Sequence, residues 1–118
     1  MAKYMLFIFG GVPDGLVGSP EADAENARWY AKTNELRAEG ILMFEDALQP
    51  PSTATTVSQD SGEPVITEGP FLDTKDPLIG FYVIDVPDRD AALKRAAAMP
   101  NLVHGGSVEI RPVMTFDD

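Results

Sequence analysis

The residues best suited to chemistry lie in a short segment between two predicted strands, residues 67–76, with the sequence TEGPFLDTKD. Its charged half carries Asp73, Lys75 and Asp76 within four positions. At the mouth of a pocket, Lys75 could hold an anionic ligand while a carboxylate such as Asp73 carries a proton. We therefore take Asp73 as a candidate catalytic residue, and Lys75 and Asp76 as candidate ligand-binding residues.

The same segment also has a purely structural interpretation. Gly69 and Pro70 are turn residues that set the backbone, and Phe71 would then fill the core. In that case Asp73 or Thr74 only binds neighbouring backbone amides. Exposed charges of this kind are usually solvated, so the sequence favours the structural interpretation and leaves the functional one open.

His104 is the only histidine and lies in residues 101–106, a flexible approach to the last predicted strand. Histidine changes its charge near neutral pH, so His104 is the second candidate catalytic residue, as an acid or a base. A lone histidine in a loop is more often a solvent-facing residue. With one histidine and no cysteine, the chain lacks the ligands of a transition-metal site, and the sequence predicts no metal and no cofactor.

Aromatic and basic residues on the strands and on the first predicted helix complete the set of candidates. Tyr82 and Trp29 could form the aromatic wall that a small hydrophobic ligand requires, although packing in the core or an interface explains them equally simply. Arg111 shares one face of the last strand with Glu109, where it could meet a ligand in a dimer cavity or merely line a polar face. Tyr82 and Arg111 are thus candidate ligand-binding residues.

Six segments have the apolar or alternating pattern of β-strands. They are residues 3–9, 41–48, 53–58, 64–67, 78–86 and 107–114. The third and fourth are predicted to form an exposed hairpin that turns at residues 60–62. Pro112 favours an edge position for the last strand, because proline cannot donate a hydrogen bond to a neighbour.

Two helices are predicted between the strands. The first begins at Ser19 and Pro20, an N-cap followed by a first-turn proline, and runs to about residue 39, where Gly40 ends it. The second is capped by Asp88 and stops before Pro100. Their inner faces are predicted to carry Ala22, Asn26, Trp29, Thr33 and Leu36 in the first helix, and Leu93, Ala96 and Ala97 in the second.

The order strand, helix, strand, hairpin, strand, helix, strand predicts one α+β domain over residues 1–118, with a ferredoxin-like split βαβ sheet and an inserted hairpin. Two helices can cover only one face of such a sheet. The strands at residues 3–9 and 78–86 are nevertheless apolar on both faces. A second copy of the chain is the simplest cover for the other face, so we expect a homodimer.

Charge balance and cysteine content narrow the range of partners. Nineteen acidic and nine basic residues give a net charge of -10, which repels the phosphates of nucleic acid. The absence of cysteine favours a reducing cytoplasm. The first apolar run is too short to span a bilayer, and we expect a cytoplasmic protein that binds neither membrane nor nucleic acid.

The segment at residues 67–76 resembles the signature of the DGPF branch of the YCII-related proteins, which reads Asp-Gly-Pro-Phe, any residue, Glu-Thr-Lys-Glu. Its acids are replaced conservatively here by Glu68, Asp73 and Asp76. Further similar stretches are residues 3–6, 55–57, 80–82 and 108–113. The resemblance therefore covers nearly the whole chain, and it implies the architecture of a dimeric α+β barrel.

The resemblance implies little about a reaction. In the YCII-type branch, enzymatic activity has been inferred from a His and an Asp. This chain carries Trp29 where the helix of that branch carries its His, and Met99 where it carries its Asp. An indole and a thioether do not exchange protons near neutral pH, so that mechanism does not transfer to this chain.

Two functions of different classes follow. The first is a small-molecule-binding homodimer, or an acid–base enzyme acting on a small organic acid or ring through a pocket near Lys75, Tyr82 and His104. The second is a non-catalytic regulatory or protein-interaction module of the kind linked to signalling or transcription in some relatives. The segment at residues 67–76 favours the first function, and the missing His and Asp favour the second.

Overall fold

The computed structural model of the chain describes residues 2–11 and 20–116. Its strands are β1 (Ala2–Phe9), β2 (Leu42–Ala47), β3 (Thr55–Asp60), β4 (Glu63–Glu68), β5 (Leu78–Val86) and β6 (Ser107–Pro112). Its helices are α1 (Pro20–Ala38) and α2 (Arg89–Ala96), with short 3₁₀ helices at Pro51–Thr53 and Pro100–His104. The predicted order of elements is confirmed, with some ends shifted by a few residues. The predicted cap Ser19 lies outside the described residues.

Four strands form one antiparallel sheet in the order β2-β5-β1-β6. The central strand β1 pairs on both sides, with Leu6 opposite Tyr82 of β5 and Ile110 of β6. With α1 between β1 and β2, and α2 between β5 and β6, this order is that of ferredoxin-like α+β proteins, as the sequence predicts. Pro112 lies on the edge strand β6, as the sequence predicts. At an edge, the missing N–H of proline costs the sheet no hydrogen bond.

The core lies between one face of this sheet and the helices. Alternate residues of the two central strands point into it, because side chains alternate across a strand. The buried apolar residues are Tyr4, Leu6, Ile8, Leu36, Tyr82, Ile84, Val86, Ala92, Ala96 and Met99. Met99 is thus a core residue.

The second face of the sheet is also apolar but only half-buried. Met5, Phe7 and Phe9 of β1 lie on it opposite or beside Val83 and Phe81 of β5. Aromatic stacking extends across this face, with ring centroids 6.5 Å apart for Phe7 and Phe9 and 5.8 Å apart for Phe44 and Phe81. Both helices of the described chain lie over the opposite face, so the predicted imbalance between apolar surface and cover is present in the structure.

Helix α2 begins as predicted but buries a different face. The Asp88 side chain accepts a hydrogen bond from the Ala91 amide at 2.9 Å, the geometry of an N-cap. Ala92 and Ala96 are buried, whereas Leu93 is 38% exposed. The prediction that Leu93 and Ala97 face the core was therefore wrong. Two alanines four residues apart let the helix lie close to the sheet, and the larger Leu93 turns towards solvent.

Helix α1 ends as predicted at Gly40, which has a φ of 75°. Just beyond the helix, Glu39 accepts a hydrogen bond of 2.6 Å from Arg95 of α2. This hydrogen bond holds the pKa of Glu39 below its ordinary value and raises that of Arg95. The pair therefore ties α1 to α2 on the outer surface. Within the described residues, neither helix is long and apolar enough to cross a membrane.

Strands β3 and β4 form a separate two-stranded sheet. They join through a two-residue turn in which Ser61 and Gly62 both have positive φ, 52° and 83°. Two consecutive positive φ angles define the turn that matches the natural twist of a hairpin. The predicted hairpin and its turn are confirmed, and nearly every residue of the two strands is exposed.

Candidate functional site

A cleft of about 860 Å³ lies between α1 and residues 45–51, which include the end of β2, and the sheet forms its floor. One face of α1, from Glu25 to Arg37, forms one wall, and residues 45–51 form the other. Ile8 and Tyr82 contribute to an apolar floor. An apolar concavity with a few polar groups at its walls is the usual form of a small-molecule site.

Two stacked aromatic rings line the cleft. Trp29 of α1 lies over Tyr82 of β5, with ring centroids 6.2 Å apart and planes 18° apart. The Tyr82 hydroxyl and the Thr33 hydroxyl are 2.8 Å apart and share a hydrogen bond. Burial raises the pKa of the Tyr82 phenol, against the opposing effect of the Thr33 hydrogen bond, and the nearby Glu45 charge raises it further. Tyr82 therefore stays neutral and acts as a wall and a hydrogen-bonding group, not as a base.

The raised pKa of Tyr82 predicts a loss of stability at alkaline pH. The unfolded chain ionises this phenol near its ordinary value of 10.0, while the folded chain keeps it protonated to higher pH. The contribution is complete below pH 10 and disappears as pH rises through the folded pKa, because the unfolded state then binds fewer protons. Urea unfolding between pH 8 and pH 11 should show a shallower decline for Tyr82→Phe than for the wild type. An equal decline in both would contradict the assignment.

Glu25 is a buried acid in the α1 wall of the cleft, 8% exposed. Its Oε2 lies 2.8 Å from His104 Nε2 and 2.7 Å from Arg28 Nη1. Its other oxygen, Oε1, is buried and accepts no hydrogen bond within the described residues. Burying a carboxylate is costly unless both oxygens are bonded, so packing alone does not explain this arrangement.

His104 reaches Glu25 from the 3₁₀ helix Pro100–His104, and its side chain is 32% exposed. The imidazole therefore touches both a buried carboxylate and solvent. A carboxylate in a cleft wall that is hydrogen-bonded to an imidazole can receive a proton from a ligand and pass it outward. The structure thus pairs His104 with Glu25, an acid that the sequence analysis did not name as a candidate.

Asn101 fixes the 3₁₀ helix that carries His104. It is fully buried, and its Nδ2 donates hydrogen bonds of 3.0 Å to the carbonyl oxygens of Phe9 and Ser107. Its Oδ1 is buried and accepts no hydrogen bond within the described residues. Asn101 and His104 are three positions apart, and side chains at that spacing lie on one side of a 3₁₀ helix. Asn101 therefore sets the position from which His104 reaches its partner.

Glycines allow this close packing. A Cβ atom at Gly11 would lie 2.3 Å from the backbone oxygen of Asn101, and Gly11 has a φ of 75°. A Cβ atom at Gly106 would lie 2.7 Å from the Phe9 backbone oxygen. Backbone atoms this close leave no room for a side chain. The end of β1 and the start of β6 can meet Asn101 only because both positions are glycine.

The other candidate residues are separated by the fold. Lys75 and Tyr82 line the cleft, as the functional interpretation predicts. Asp76 is half-buried next to Gly10, and a Cβ atom at Gly10 would lie 2.6 Å from Asp76 Oδ1. Asp73 is exposed in the loop before β5. Arg111 lies opposite Met5 on the second face of the sheet, 4.0 Å from Glu109 Oε2 and away from the cleft.

Phe71 does not occupy the core. Its side chain is 83% exposed and that of Leu72 is 68% exposed, so the expected core position of Phe71 was wrong. The expectation for the backbone is confirmed, because Gly69 has a φ of 109°, which glycine adopts readily. The core beneath is already filled by strand and helix residues, and the loop passes outside it.

Sequence patterns did not single out Glu25 as a candidate residue. The available signal was its spacing, since Glu25, Trp29 and Thr33 follow one another at four-residue intervals and therefore share a face of α1. A charged residue on that face indicates that the face does more than pack against an apolar core. Its partner His104 is 79 positions away, and no local pattern indicates that contact.

The sequence of the chain is similar to those of known proteins. The family model of the YCII-related domain matches residues 3–117 of the chain. An uncharacterised protein of Rhizobium meliloti (strain 1021) is 39% identical over 70 residues, which is 58% of this chain and 56% of that relative. The match therefore spans only a little more than half of the relative's length. Because the family model covers nearly the whole sequence, the chain belongs to the YCII-related family.

Proposed function

We propose that the protein binds a small organic molecule in the α1 cleft and exchanges a proton with it through Glu25 and His104. The observation that carries this proposal is the buried Glu25 carboxylate in the cleft wall, bonded through Oε2 to His104 and Arg28 and free of hydrogen bonds at Oε1 within the described residues. In this proposal Glu25, and not Asp73, is the acid or base.

The roles of the two residues follow from their exposure. Glu25 lines the cleft, so in this proposal its carboxylate is the group that removes or returns a proton. His104 is partly exposed and lies within hydrogen-bond distance of Glu25, so it passes that proton to and from solvent. Arg28 places a positive charge beside the carboxylate, with its Nη1 2.7 Å from Glu25 Oε2.

The walls of the cleft indicate the class of ligand. The Trp29–Tyr82 stack and Ile8 offer an apolar surface suited to a ring. Lys75 is exposed at the end of the cleft and forms no ion pair with the described residues, so it can bind a carboxylate. We therefore propose a small ring-containing organic acid as the ligand.

The proposal includes the placement of the protein within its family. The near-match of residues 67–76 to the Asp-Gly-Pro-Phe signature supports the DGPF branch. The half-buried apolar second face of the sheet supports a homodimer with the architecture of a dimeric α+β barrel. The absence of cysteine supports a cytoplasmic location.

Binding can be measured directly, because Trp29 is the only tryptophan and lines the cleft. Titration with benzoate, salicylate or phenylpyruvate should change its fluorescence in a saturable way. Lys75→Ala should weaken binding about tenfold, the equivalent of one charge-assisted hydrogen bond worth about 1.4 kcal/mol. Absence of saturable binding by all three ring acids would contradict the proposed ligand class.

Proton exchange can be measured with phenylpyruvate in D₂O. Glu25 would remove a proton from the carbon beside the carbonyl, leaving an enolate, and a deuteron would return to that carbon. NMR should show that the wild type accelerates the incorporation of deuterium into phenylpyruvate. Glu25→Gln should reduce that acceleration by roughly 10²–10⁴-fold. His104→Gln should also be slow, whereas the matched control Glu35→Gln, on the same helix but exposed, should not change. Loss with Asp73→Asn but not with Glu25→Gln would restore Asp73 as the proton carrier.

A non-catalytic regulatory or protein-interaction role is the second candidate. The observation that favours it is the large exposure of apolar side chains on the hairpin and the following loop, including Ile66 at 69% and Phe71 at 83%. Exposed apolar groups of this kind mark contact surfaces. This role would replace catalysis if ligand titration and proton exchange both gave negative results.

A further inference from the structure

Two hydroxyl groups form a polar site in the cleft, separate from Glu25. The hydroxyl oxygens of Thr33 and Tyr82 are 2.8 Å apart, and both residues line the cleft. One hydrogen bond between two hydroxyls uses only one of their two hydrogens, whichever residue donates it. Within the described residues, neither hydroxyl has a further hydrogen-bond partner. The pair therefore keeps one donor and several acceptor positions for a ligand.

The hydroxyl pair has little contact with solvent. Tyr82 is 5% exposed and Thr33 is half-buried. The Trp29 ring lies over the Tyr82 ring, with centroids 6.2 Å apart. A hydrogen bond in such surroundings is stronger than one made in water. A ligand group that reaches this pair therefore gains affinity from it.

The groups proposed to bind and deprotonate the ligand lie at one end of the cleft, where β1 ends. Lys75 is two positions before Pro77, whose carbonyl accepts a hydrogen bond of 2.9 Å from the Gly10 amide just beyond β1. Glu25 contacts His104 on the 3₁₀ helix that is bonded to the last residue of β1. A carboxylate held by Lys75 would therefore place the reacting carbon of the ligand at this end.

The hydroxyl pair lies further along the cleft. Thr33 follows Glu25 by eight positions on α1, a separation of about 12 Å at a rise of about 1.5 Å per residue. Trp29 lies midway between them on the same face of the helix. Contacts of about 3 Å at each end leave about 6 Å for the ligand. One aromatic ring with a substituent in the para position has this length.

Charge in this part of the cleft disfavours a second anionic group on the ligand. Burial and, to a smaller degree, the nearby Glu45 charge raise the pKa of Tyr82, and Asp46 follows Glu45 in the same wall. Among the described residues, Arg37 is the one cation lining this part, and it donates a hydrogen bond of 3.0 Å to Asn34. Acids thus outnumber cations here, which favours an uncharged polar group. A hydroxyl suits the pair, because it both donates and accepts.

We propose that the ring of the ligand carries a hydroxyl in the para position, and that Thr33 and Tyr82 recognise it. The inference rests on the ring-containing acid proposed above and narrows it to a 4-hydroxylated aryl acid. Lys75 then holds the carboxylate, the ring passes Trp29, and the hydroxyl completes the hydrogen bonding of the Thr33–Tyr82 pair. Thr33 and Tyr82 are specificity-determining residues in this arrangement.

Isothermal titration calorimetry with matched acids tests the proposal. The probes 3-(4-hydroxyphenyl)propionate and 3-phenylpropionate differ by one oxygen atom, and neither carries the ketone that makes a neighbouring proton removable. The wild type should bind the hydroxylated acid about tenfold more tightly, through one donated and one accepted neutral hydrogen bond. The meta isomer, 3-(3-hydroxyphenyl)propionate, should gain little, because its hydroxyl points away from the pair.

The ratio of the two dissociation constants separates recognition from general damage to the cleft. Thr33→Val and Tyr82→Phe each remove one hydroxyl at nearly constant shape, and each should lower the ratio towards one. Thr67→Val is the matched control and should keep the wild-type ratio, since Thr67 is an exposed residue of β4. A loss of affinity that is the same for both acids leaves the ratio unchanged.

The outcomes distinguish this inference from the function on which it rests. If the wild type binds neither acid, the ring-acid ligand class and the hydroxyl recognition both fail. Equal binding of the two acids overturns the hydroxyl recognition alone. A preference that survives both Thr33→Val and Tyr82→Phe also overturns it, because another part of the cleft would then contact the hydroxyl. Should either variant fail to fold, equal affinity of the wild type for the para and meta isomers would still contradict the proposed position.

Discussion

Asn101→Ala is expected to lower the free energy of unfolding by about 2–5 kcal/mol and to separate His104 from Glu25. The substitution removes both hydrogen bonds of 3.0 Å that the Asn101 amide donates to Phe9 and Ser107. Each carbonyl would then lose this donor at a partly buried junction, at a cost of about 1–3 kcal/mol. The cavity left by a fully buried side chain adds to the loss.

Urea unfolding at neutral pH measures the first part of this prediction. Asn34→Ala is the control, because Asn34 is an exposed α1 residue that accepts one hydrogen bond from Arg37, and its loss should change stability little. NMR of the His104 imidazole measures the second part. Glu25→Gln should shift the His104 resonances in the otherwise wild-type chain, but it should not shift them in the Asn101→Ala background. A loss below about 1 kcal/mol with an unchanged imidazole would refute the positioning role.

Leu36→Ala should cost about 2–5 kcal/mol, the range for deleting a fully buried leucine side chain. Leu36 is 0% exposed and is the large apolar residue by which α1 enters the core. Its removal would weaken the wall of the cleft as well as the domain, because α1 carries Glu25, Trp29 and Thr33.

Leu93→Ala provides a matched comparison, since it deletes the same atoms from the other helix. Leu93 is 38% exposed, so part of its surface is already in contact with water and the loss should stay below about 1.5 kcal/mol. Thermal or urea unfolding of the two variants at one protein concentration decides the matter. Equal losses would mean that α2 buries the face that the sequence predicts, contrary to the structure.

The main outline of the fold could be predicted from local signals. Hydrophobic alternation, glycine at the end of α1, the Asp88 cap and the turn at residues 60–62 each depend on neighbours close in the sequence. The edge position of Pro112 follows from the chemistry of proline. Helix faces were less predictable, because the choice between Leu93 and Ala92 depends on how closely α2 approaches the sheet, which no local pattern encodes.

The candidate site was predicted only in part. Lys75 and Tyr82 both line the cleft, and their roles in ligand binding stay predictions. The contact between Glu25 and His104 could not be found from local sequence patterns. Glu25 and His104 are brought to 2.8 Å by packing of the 3₁₀ helix Pro100–His104 against α1, through contacts made by Asn101.

By itself, the sequence determined the order of elements, the split βαβ arrangement, the projecting hairpin and the excess of apolar surface, because each depends on periodicity and on glycine, proline and capping residues. Only the tertiary structure decided that Phe71 lies outside the core, that His104 pairs with Glu25, and that Arg111 lies on the face opposite the cleft. These outcomes depend on which side chains are packed into the core, whose volume is limited. The packing of elements that are distant in the chain decides which side chains are buried, and residue type alone does not reveal the result.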